Sequence, residues 1–267
     1  MNKIGFIGGG NMGGALASAA VRALGKENVL IVDRDAAATA ACAERIGATA
    51  ASYEVVAREC RLIFLAVKPN LVATVAQTLV PLLAGRADDL AIVSMAAGIP
   101  IARLTELLGA EAHVIRIMPN TPAAVGEGMI VYACSTATTD ADCAVFTEAM
   151  REAGKLDAID ECKIDAATAV MGCGPAYTYQ FIEALADGGV ACGLTRAQAQ
   201  LYAAQTLLGA AQMVLETGTH PGALKDAVCS PGGSTIQGVR VLEEGGLRGT
   251  VIDAVIAAYE KTKELGK

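Results

Sequence analysis

Short apolar runs alternate along the first 160 residues with longer stretches whose apolar positions recur at helical spacing. Seven of the runs have the length of strands: Lys3 to Gly8, Val29 to Asp33, Leu62 to Val67, Ala91 to Met95, Val114 to Met118, Gly128 to Cys134 and Lys155 to Ala158. After the first run, Met12, Ala15, Leu16, Ala19 and Ala23 would share one face of a helix. This alternation is typical of parallel strands joined by crossover helices, so it predicts a doubly wound α/β domain.

After about residue 160 the strand-like runs end, and alanine, leucine and glutamine dominate long helical stretches as far as Gly218. Pro175 and Ala176 fit the start of one helix, since proline is tolerated in a first turn. Residues 197–215 leave no obvious solvent-facing side, which predicts burial against another subunit. We therefore expect two abutting domains: a doubly wound domain over residues 1–160 and an all-α oligomerisation domain over residues 161–267.

The composition is that of a compact globular protein. The chain of 267 residues is 53% hydrophobic and 18% charged, which argues against disorder. Its formal charge of −7 offers no positive face to nucleic acid or to an anionic membrane. We therefore expect a small-molecule partner, and neither nucleic acid nor membrane.

Eight cysteines are scattered along the chain, with no CxxC pair and no neighbouring histidine to complete a metal site. Four disulfides are an alternative, but a chain with a core of this size does not need them.

The apolar stretch after Lys3 has some features of a signal peptide, yet its glycines would break the helix that such a peptide needs. The stretch from Ala197 to Leu215 contains four glutamines and fits a buried helix better than a membrane span. We expect reduced thiols, no metal and a cytoplasmic protein.

The first strand leads directly into GGGNMG at residues 8–13, a GxGxxG turn followed by an alanine-rich helix. Gly8 permits the tight turn, Gly10 lets the backbone approach a pyrophosphate, and Gly13 permits close packing of helix on strand. Free N–H groups and the positive dipole at the helix N-terminus favour phosphate. We predict a Rossmann-type domain with Gly8, Gly10, Asn11, Met12 and Gly13 at a dinucleotide cofactor. The alternative is that these glycines serve only to reverse the chain.

Two neighbouring residues after the second strand bear on which dinucleotide binds. Asp33 stands where an acid usually accepts hydrogen bonds from the adenosine ribose, which favours NAD. Arg34 could equally pair with the 2′-phosphate of NADP, with the Asp33 carboxylate turned aside. A solvated surface arginine is the third interpretation, and the sequence leaves all three open.

Three further loops follow predicted strands, at the carboxyl ends where open α/β sheets bind ligands. They are Ala66-Val67-Lys68-Pro69, Ser94 to Gly98 and Arg116 to Pro122. The residues that we expect at the cofactor are all four of the first loop, Ala96 and Ala97 of the second, and Asn120 of the third. Small side chains there leave room for a nicotinamide ring. Structural turns would explain each loop alone, but three at one sheet edge favour a cofactor site.

The helical domain contains Ser230-Pro231-Gly232-Gly233-Ser234-Thr235, a loop of small residues that enters a helix. Exposed N–H groups at the helix start, with hydroxyls nearby, could hold a carboxylate without an arginine. The alternative is that Ser230 or Ser234 only caps the helix.

Six segments together give the chain an end-to-end resemblance to pyrroline-5-carboxylate reductases. They are the glycine turn, Ala66 to Pro69, Arg116 to Pro122, Gly172 to Tyr177 with Glu183 to Asp187, and Ser230 to Thr235. The resemblance implies that the Rossmann domain holds NADPH, with NADH as an alternative. It also implies that the helical domain interlocks with a twofold mate in a homodimer, and family dimers often associate further into pentamers of dimers.

The resemblance also implies a reaction and a substrate site. Hydride would pass from C4 of the nicotinamide to the imine carbon of 1-pyrroline-5-carboxylate and give L-proline. The substrate carboxylate would bind Ser230, Gly232, Gly233, Ser234 and Thr235, and Thr235 is the favoured catalytic hydroxyl near the ring nitrogen. Cys173 and Cys229 depart from the family, which usually has serine there, and Asp33 replaces a small polar residue.

The chain's few histidines are consistent with imine chemistry. Reduction of a carbonyl calls for a positioned acid, whereas a protonated imine already carries the charge that hydride neutralises. His113 and His220 are the chain's two histidines, and we expect both to be structural.

Two other functions remain open. A β-hydroxyacid dehydrogenase also joins a Rossmann domain to helices, but its catalytic lysine has no counterpart between Gly172 and Gly193. A non-catalytic nucleotide sensor would share the fold. A sensor, however, would not require the second ligand site predicted at Ser230 to Thr235.

Overall fold

The computed structural model describes residues 2–86 and 90–265, the side chain of residue 265 excepted. The chain divides into two compact units. The first unit comprises the residues up to Gly172 together with those from Tyr259 onward, and the second comprises Cys173–Ala258. The predicted domain boundary at residues 160 and 161 stays a prediction.

The first unit is built on an eight-stranded sheet in the order β3-β2-β1-β4-β5-β6-β7-β8. The strands are β1 Lys3–Ile7, β2 Val29–Val32, β3 Thr49–Ala50, β4 Cys60–Leu65, β5 Ala91–Ser94, β6 His113–Pro119, β7 Gly128–Cys134 and β8 Gly154–Ala158. All seven predicted strands are present, with ends that differ by at most two residues. β3 was not predicted, because its two residues are exposed and form no apolar run.

The direction of β7 departs from the parallel arrangement expected of strands that are joined by crossover helices. β7 runs antiparallel to β6, with Ile117 opposite Tyr132, while β8 is parallel to β7. The link between β6 and β7 contains only a short 3-10 turn, Thr121–Val125. Because a parallel connection needs a crossover of about a dozen residues or more, the chain can return here only as an antiparallel neighbour.

Helices cover both faces of the sheet, as a doubly wound domain requires. They are α1 Asn11–Leu24, α2 Ala36–Ile46, α3 Tyr53–Glu59, α4 Val72–Leu83, α5 Ile101–Leu108, α6 Asp140–Met150 and α7 Ile164–Ala167. One core cluster joins the sheet to α1, α2 and α6, and another joins it to α3, α4 and α5. Leu16 and Ala19 of the predicted α1 face are fully buried. The predicted Rossmann-type fold is confirmed, and the order β3-β2-β1-β4 puts its topological switch point between β1 and β4.

The second unit is helical throughout its described elements. They are α8 Gly174–Ala191, α9 Arg196–Thr217, α10 Pro221–Val228, α11 Ser234–Glu244 and α12 Leu247–Leu265, the last of which continues past the unit. Pro175 stands in the first turn of α8, as predicted. None of the described helices is long and apolar enough to cross a bilayer.

The second unit buries few of its own side chains. Its core cluster consists of Ala186, Ala199 and Ala203 with Ile182 and Val190 against them. Large apolar side chains are exposed on its surface: Tyr179, Leu185, Leu194, Leu201, Tyr202, Leu208, Met213, Leu215, Val228, Val241, Leu242, Val251, Ile252 and Ile256. Five of these lie on α9, which includes the stretch predicted to contact another subunit. Exposed apolar surface of this extent marks an interaction face.

Candidate functional site

The three motif glycines of the turn after β1 have different surroundings. Gly8 adopts a positive φ of 104°, and a Cβ there would lie 2.5 Å from the carbonyl oxygen of Ala66. A Cβ on Gly13 would lie 2.6 Å from the carbonyl oxygen of Gly8. A Cβ on Gly10 would meet nothing within 4 Å. Gly8 and Gly13 are therefore required by the fold, whereas the space beside Gly10 is open.

The N-terminus of α1 is open to an anion. Gly10 is its N-cap and provides no side-chain hydrogen bond, and the first turn contains no acidic residue. Gly10 and Asn11 are both exposed. The free N–H groups and the helix dipole of this first turn suit a phosphate group.

The peptide groups of Gly9 are held on both sides, a feature that the motif alone does not reveal. The backbone N–H of Gly9 donates to Oδ2 of Asp33 at 2.7 Å. Its carbonyl oxygen accepts from Nη2 of Arg45 at 2.6 Å, with Sγ of Cys42 at 3.6 Å. These contacts fix the path of the turn from outside it.

The side chains of Asp33 and Arg34 point to different partners. Oδ1 of Asp33 accepts from the Arg34 backbone N–H at 2.7 Å, so each carboxylate oxygen is bound to a main-chain donor. The Arg34 side chain is 85% exposed, and its Nε lies 3.4 Å from Asp35. Burial and the charge of Asp33 raise the pKa of Tyr53, which sequence reasoning did not single out. Asp33 thus supports the turn, and the Arg34 guanidinium is open to solvent.

Two of the other predicted loops follow β4 and β5, whereas the third begins inside β6, so that only its residues after Pro119 lie beyond the strand. Ala66 donates its N–H to the carbonyl of Ile7 at 2.9 Å, which places this loop beside the glycine turn. Lys68 and Pro69 are exposed and Val67 is half-buried. In the second loop Ala96 is buried and Ala97 is exposed.

Asn120, from the third loop, has structural partners for its side chain. It is 8% exposed. Its Nδ2 donates to the carbonyl of Met171 at 2.9 Å, and its Oδ1 accepts from the N–H of Met129 at 2.8 Å. The Asn120 amide therefore fixes its own loop to two other segments of the first unit, a role that the sequence did not predict.

The predicted substrate segment forms a turn between α10 and α11. The N–H of Gly233 donates to the carbonyl of Ser230 at 3.0 Å, and Gly232 has a positive φ of 71°. The N-cap of α11 is Gly233, which provides no side-chain hydrogen bond, so neither serine caps the helix. Ser234 and Thr235 begin the helix and are exposed. The alternative interpretation, a serine cap, is therefore wrong.

Comparison with known proteins covers the whole chain. Residues 161–265 match the family model "Pyrroline-5-carboxylate reductase dimerisation", and residues 3–98 match "NADP oxidoreductase coenzyme F420-dependent". The pyrroline-5-carboxylate reductase of Pisum sativum is 44% identical over 98% of this chain and 95% of its own length. That of Escherichia coli K12 is 43% identical over 99% of this chain and 98% of its own. The chain belongs to the pyrroline-5-carboxylate reductase family.

A solved structure of the family agrees with this assignment. The crystal structure of Plasmodium falciparum pyrroline carboxylate reductase with NADP bound has a TM-score of 0.86 and 36% identity, and the match covers 100% of this chain and 98% of that one. The resemblance inferred from the sequence is confirmed, together with the reductase function and the NAD(P)-dependent class of oxidoreductase. The matched dimerisation region confirms a homo-oligomer.

Neither histidine of this family member lies at the predicted cofactor loops. His220 is the N-cap of α10 and accepts the N–H of Gly222 through Nδ1 at 3.0 Å. His113 begins β6, and its Nδ1 lies 2.8 Å from Oδ2 of Asp142, at the opposite end of the strand from Asn120. Both histidines have structural partners, as predicted for a reductase that acts on an imine.

Proposed function

We propose that this reductase transfers a hydride from NADPH to 1-pyrroline-5-carboxylate and holds its two ligands on two uncapped helix N-termini. The first is that of α1, where Gly10 leaves open space. The second is that of α11, where Gly233 occupies the N-cap. Both follow glycine turns, and both can bind an anionic group through main-chain N–H donors. This pair of anion sites carries the proposal.

NADPH is the proposed cofactor because of the arrangement of Asp33 and Arg34. The Asp33 carboxylate already accepts from two main-chain N–H groups, whereas the Arg34 guanidinium is exposed and can exchange its contact with Asp35 for a bidentate pair with a 2′-phosphate. The NADP bound to the Plasmodium falciparum relative supports the same choice. NADH is the alternative if Asp33 turns toward the cofactor.

The remaining proposed cofactor residues follow β1, β4, β5 and β6, from the switch point of the sheet outward. They are Gly8, Asn11, Met12, Gly13, Ala66, Val67, Lys68, Pro69, Ala96, Ala97 and Asn120. We assign the pyrophosphate to the first turn of α1. The nicotinamide end is assigned to the loops after β4, β5 and β6, where exposed Ala97 offers little steric bulk. Asn120 would act through its loop, since both ends of its amide already have partners.

The substrate carboxylate is assigned to the turn before α11. Ser230, Gly232, Gly233, Ser234 and Thr235 are the proposed contacts. The first-turn N–H groups of an eleven-residue helix, with the exposed hydroxyls of Ser234 and Thr235, give donors for a carboxylate without a cationic side chain. Cys229 lies just outside the turn, so a cysteine there does not alter the main-chain donors.

The chemistry needs little from the protein beyond alignment. Bound NADPH would supply a hydride to the carbon of the nitrogen-protonated imine, which would give NADP+ and the secondary amine of L-proline. The nitrogen keeps the proton that it brought, so no protein acid is consumed. We assign to the Thr235 hydroxyl a hydrogen bond near the ring nitrogen that orients the imine. Productive transfer places the reacting atoms about 3 to 3.5 Å apart.

The proposed assembly is a homodimer formed through the helical unit. The exposed apolar side chains of α9 support it, because a helix this apolar needs a partner surface. We extend the proposal to a pentamer of dimers and to a cytoplasmic location. The first rests on the family resemblance, and the second on the nucleotide cofactor and the eight free thiols. Sedimentation velocity tests the assembly, and a stable monomer would contradict it.

Steady-state kinetics with 1-pyrroline-5-carboxylate, measured with NADPH and NADH in parallel, test the proposed function. We expect turnover with both cofactors and a lower KM for NADPH. A lower KM for NADH would assign Asp33 to the ribose. Cofactor binding without any oxidation on addition of the substrate would favour the nucleotide sensor and overturn the proposal.

A further inference from the structure

Two cysteine thiols meet where β7 ends against α6. Sγ of Cys134 lies 3.5 Å from Sγ of Cys143, nine positions further along the chain. Cys134 is exposed and Cys143 is half-buried. Among the described residues no other pair of cysteine sulfurs is in hydrogen-bond contact. The proposed reductase chemistry makes no use of this pair.

The backbone on either side of the two cysteines is held firmly. Ser135 donates its N–H to the carbonyl of Val114 at 2.8 Å, and its hydroxyl accepts from the Val114 N–H at 3.0 Å. Thr139 and Asp142 form a capping box at the start of α6. Nη2 of Arg61 lies 2.5 Å from the Asp142 carboxylate, whose side chain is fully buried. The two thiols therefore meet because their flanking residues are anchored.

The two sulfurs are in van der Waals contact, so only a small movement separates them from a bond. A disulfide has an S–S length of about 2.05 Å, so the two sulfurs need to approach by roughly 1.5 Å. A cysteine side chain moves its sulfur through such a distance by rotation about χ1. The anchored backbone can stay in place while the side chains turn.

We propose that Cys134 and Cys143 form a reversible disulfide when the protein meets a small-molecule disulfide such as oxidised glutathione. The Cys143 thiolate attacks one glutathione sulfur, which forms a mixed disulfide and releases a glutathione thiolate. The Cys134 thiolate then attacks Sγ of Cys143 and releases the second glutathione thiolate. The two released thiolates take up the two protons lost by the cysteines. Two protein thiols are thereby oxidised, and one glutathione disulfide is reduced to two thiols.

The order of attack follows from the surroundings of Cys134. Burial, the hydrogen bond with Cys143 and the charges of Cys143 and Asp142 raise the pKa of Cys134 to about 12. Since the thiolate is the attacking form, Cys134 is a poor first nucleophile. In the mixed disulfide the sulfur of Cys143 is neutral and has no hydrogen, so neither its charge nor its thiol hydrogen bond acts on Cys134 any longer. Cys134 can then ionise more readily for the second step.

The pair lies away from the proposed cofactor loops. Cys134 is opposite Ile115 in the register of β7 with β6, whereas Asn120, the residue of this segment proposed at the cofactor, follows Pro119 at the other end of the pairing. A disulfide would connect β7 to α6 without touching that residue. We therefore expect oxidation to raise the melting temperature of the reductase and to leave kcat and KM unchanged.

Peptide mapping of the full-length oligomer tests the proposal. The protein is equilibrated in glutathione buffers of rising oxidised fraction, quenched in acid, alkylated in denaturant and digested with trypsin. Residues 117–151 form one tryptic peptide that contains Cys134 and Cys143 and no other cysteine. We expect this peptide to lose both alkylation sites and to be lighter by two hydrogen atoms than the reduced, unalkylated peptide. Treatment with dithiothreitol should restore both thiols. Cys134→Ser should trap glutathione on Cys143, and Cys162→Ser serves as the control with the pair intact.

Two outcomes would overturn the proposal. One is a wild-type peptide that keeps two alkylable thiols at every glutathione ratio. The other is a wild-type peptide that carries glutathione on Cys143 without closing to the internal disulfide, because Cys134 would then be out of reach. If the Cys162→Ser variant failed to form the disulfide between Cys134 and Cys143, Cys162 would be a disulfide partner, and this result would also count against the proposal.

Discussion

The carboxylate of Asp33 accepts a hydrogen bond from the backbone N–H of Gly9 at 2.7 Å. The residue in the position expected of a ribose ligand thus supports the turn that is proposed to bind the phosphates. Asp33→Ala leaves the Gly9 N–H without this partner, and a lost partner of a charged group costs about 1.5 to 3 kcal/mol. We expect weaker binding of both NADPH and NADH by isothermal titration. Asp33→Asn, which keeps an acceptor oxygen, should be milder. Tighter binding of NADPH by Asp33→Ala would instead identify Asp33 as a ribose ligand that repels the 2′-phosphate.

Arg34→Ala should change the KM for NADPH and not the KM for NADH. Its guanidinium is 85% exposed and is proposed to pair with the 2′-phosphate that only NADPH carries. Loss of such a charged hydrogen bond should raise the KM for NADPH about tenfold to a hundredfold. The KM for NADH, measured on the same preparation, is the internal control and should hardly change. Equal effects on both cofactors would contradict the assignment.

Gly10 and Gly13 provide a matched pair of substitutions. Because a Cβ on Gly10 meets nothing within 4 Å, Gly10→Val should fold normally and lose cofactor binding. A Cβ on Gly13 lies 2.6 Å from the carbonyl oxygen of Gly8, so Gly13→Val should destabilise the first unit itself. Thermal unfolding and fluorescence titration with NADPH distinguish the two effects. A Gly10→Val protein with normal cofactor affinity would disprove the proposed pyrophosphate position.

Thr235→Ala tests the substrate site. Removal of one hydrogen bond that orients the imine should lower kcat about tenfold to a hundredfold while cofactor affinity stays nearly unchanged. Thr235→Ser should recover most of the rate. Thr250→Ala is a suitable control, because the Thr250 hydroxyl donates to the carbonyl of Gly246 within the same helical unit. Equal losses of turnover and cofactor affinity in Thr235→Ala would argue against its role.

The buried carboxylate of Asp142 should make the protein less stable in acid. Burial alone would raise its pKa, but hydrogen bonds from the Thr139 backbone and hydroxyl, from Arg61 and from His113 together lower it. A carboxylate whose pKa is lower in the folded state stabilises that state at neutral pH. The contribution disappears as the pH falls below the ordinary aspartate value of about 3.9 and through the lowered one.

Urea unfolding across the acid range measures this contribution. Asp142→Asn leaves Arg61 without its carboxylate, and breaking a buried pair costs about 3 kcal/mol at neutral pH. The variant should also show a shallower loss of stability in acid. Asp140→Asn, an exposed neighbour in the same helical turn, is the control. An acid profile of Asp142→Asn identical to that of the wild type would refute the assignment.

Much of the fold could be predicted from the sequence, because buried strands appear as continuous apolar runs and buried helix faces as apolar residues at helical spacing. The apolar run of β4 and the buried positions Leu16 and Ala19 of α1 are examples. β3 could not be found, because Thr49 and Ala50 are exposed. The direction of β7 was predictable in principle: the short link after Pro119 already rules out a crossover.

The sites were less predictable from the sequence because hydrogen-bond partners lie far apart in the chain. The contact of Arg45 with the Gly9 carbonyl spans 36 positions, and that of Asn120 with Met171 spans 51. Motif spacing identified Gly8, Gly10 and Gly13 but gave no sign of these supports. The ligand contacts of the predicted site residues stay predictions until the variants above are measured.

The helical unit has so small a hydrophobic core of its own that we expect its folding to be coupled to association with a second copy. Among its described residues, the buried cluster consists of three alanines, Ala186, Ala199 and Ala203, which remove little apolar surface from water. A second copy must therefore supply much of the hydrophobic contact, and stability then follows mass action. The melting temperature should rise with protein concentration, and the specific activity should fall on extreme dilution even with both substrates saturating.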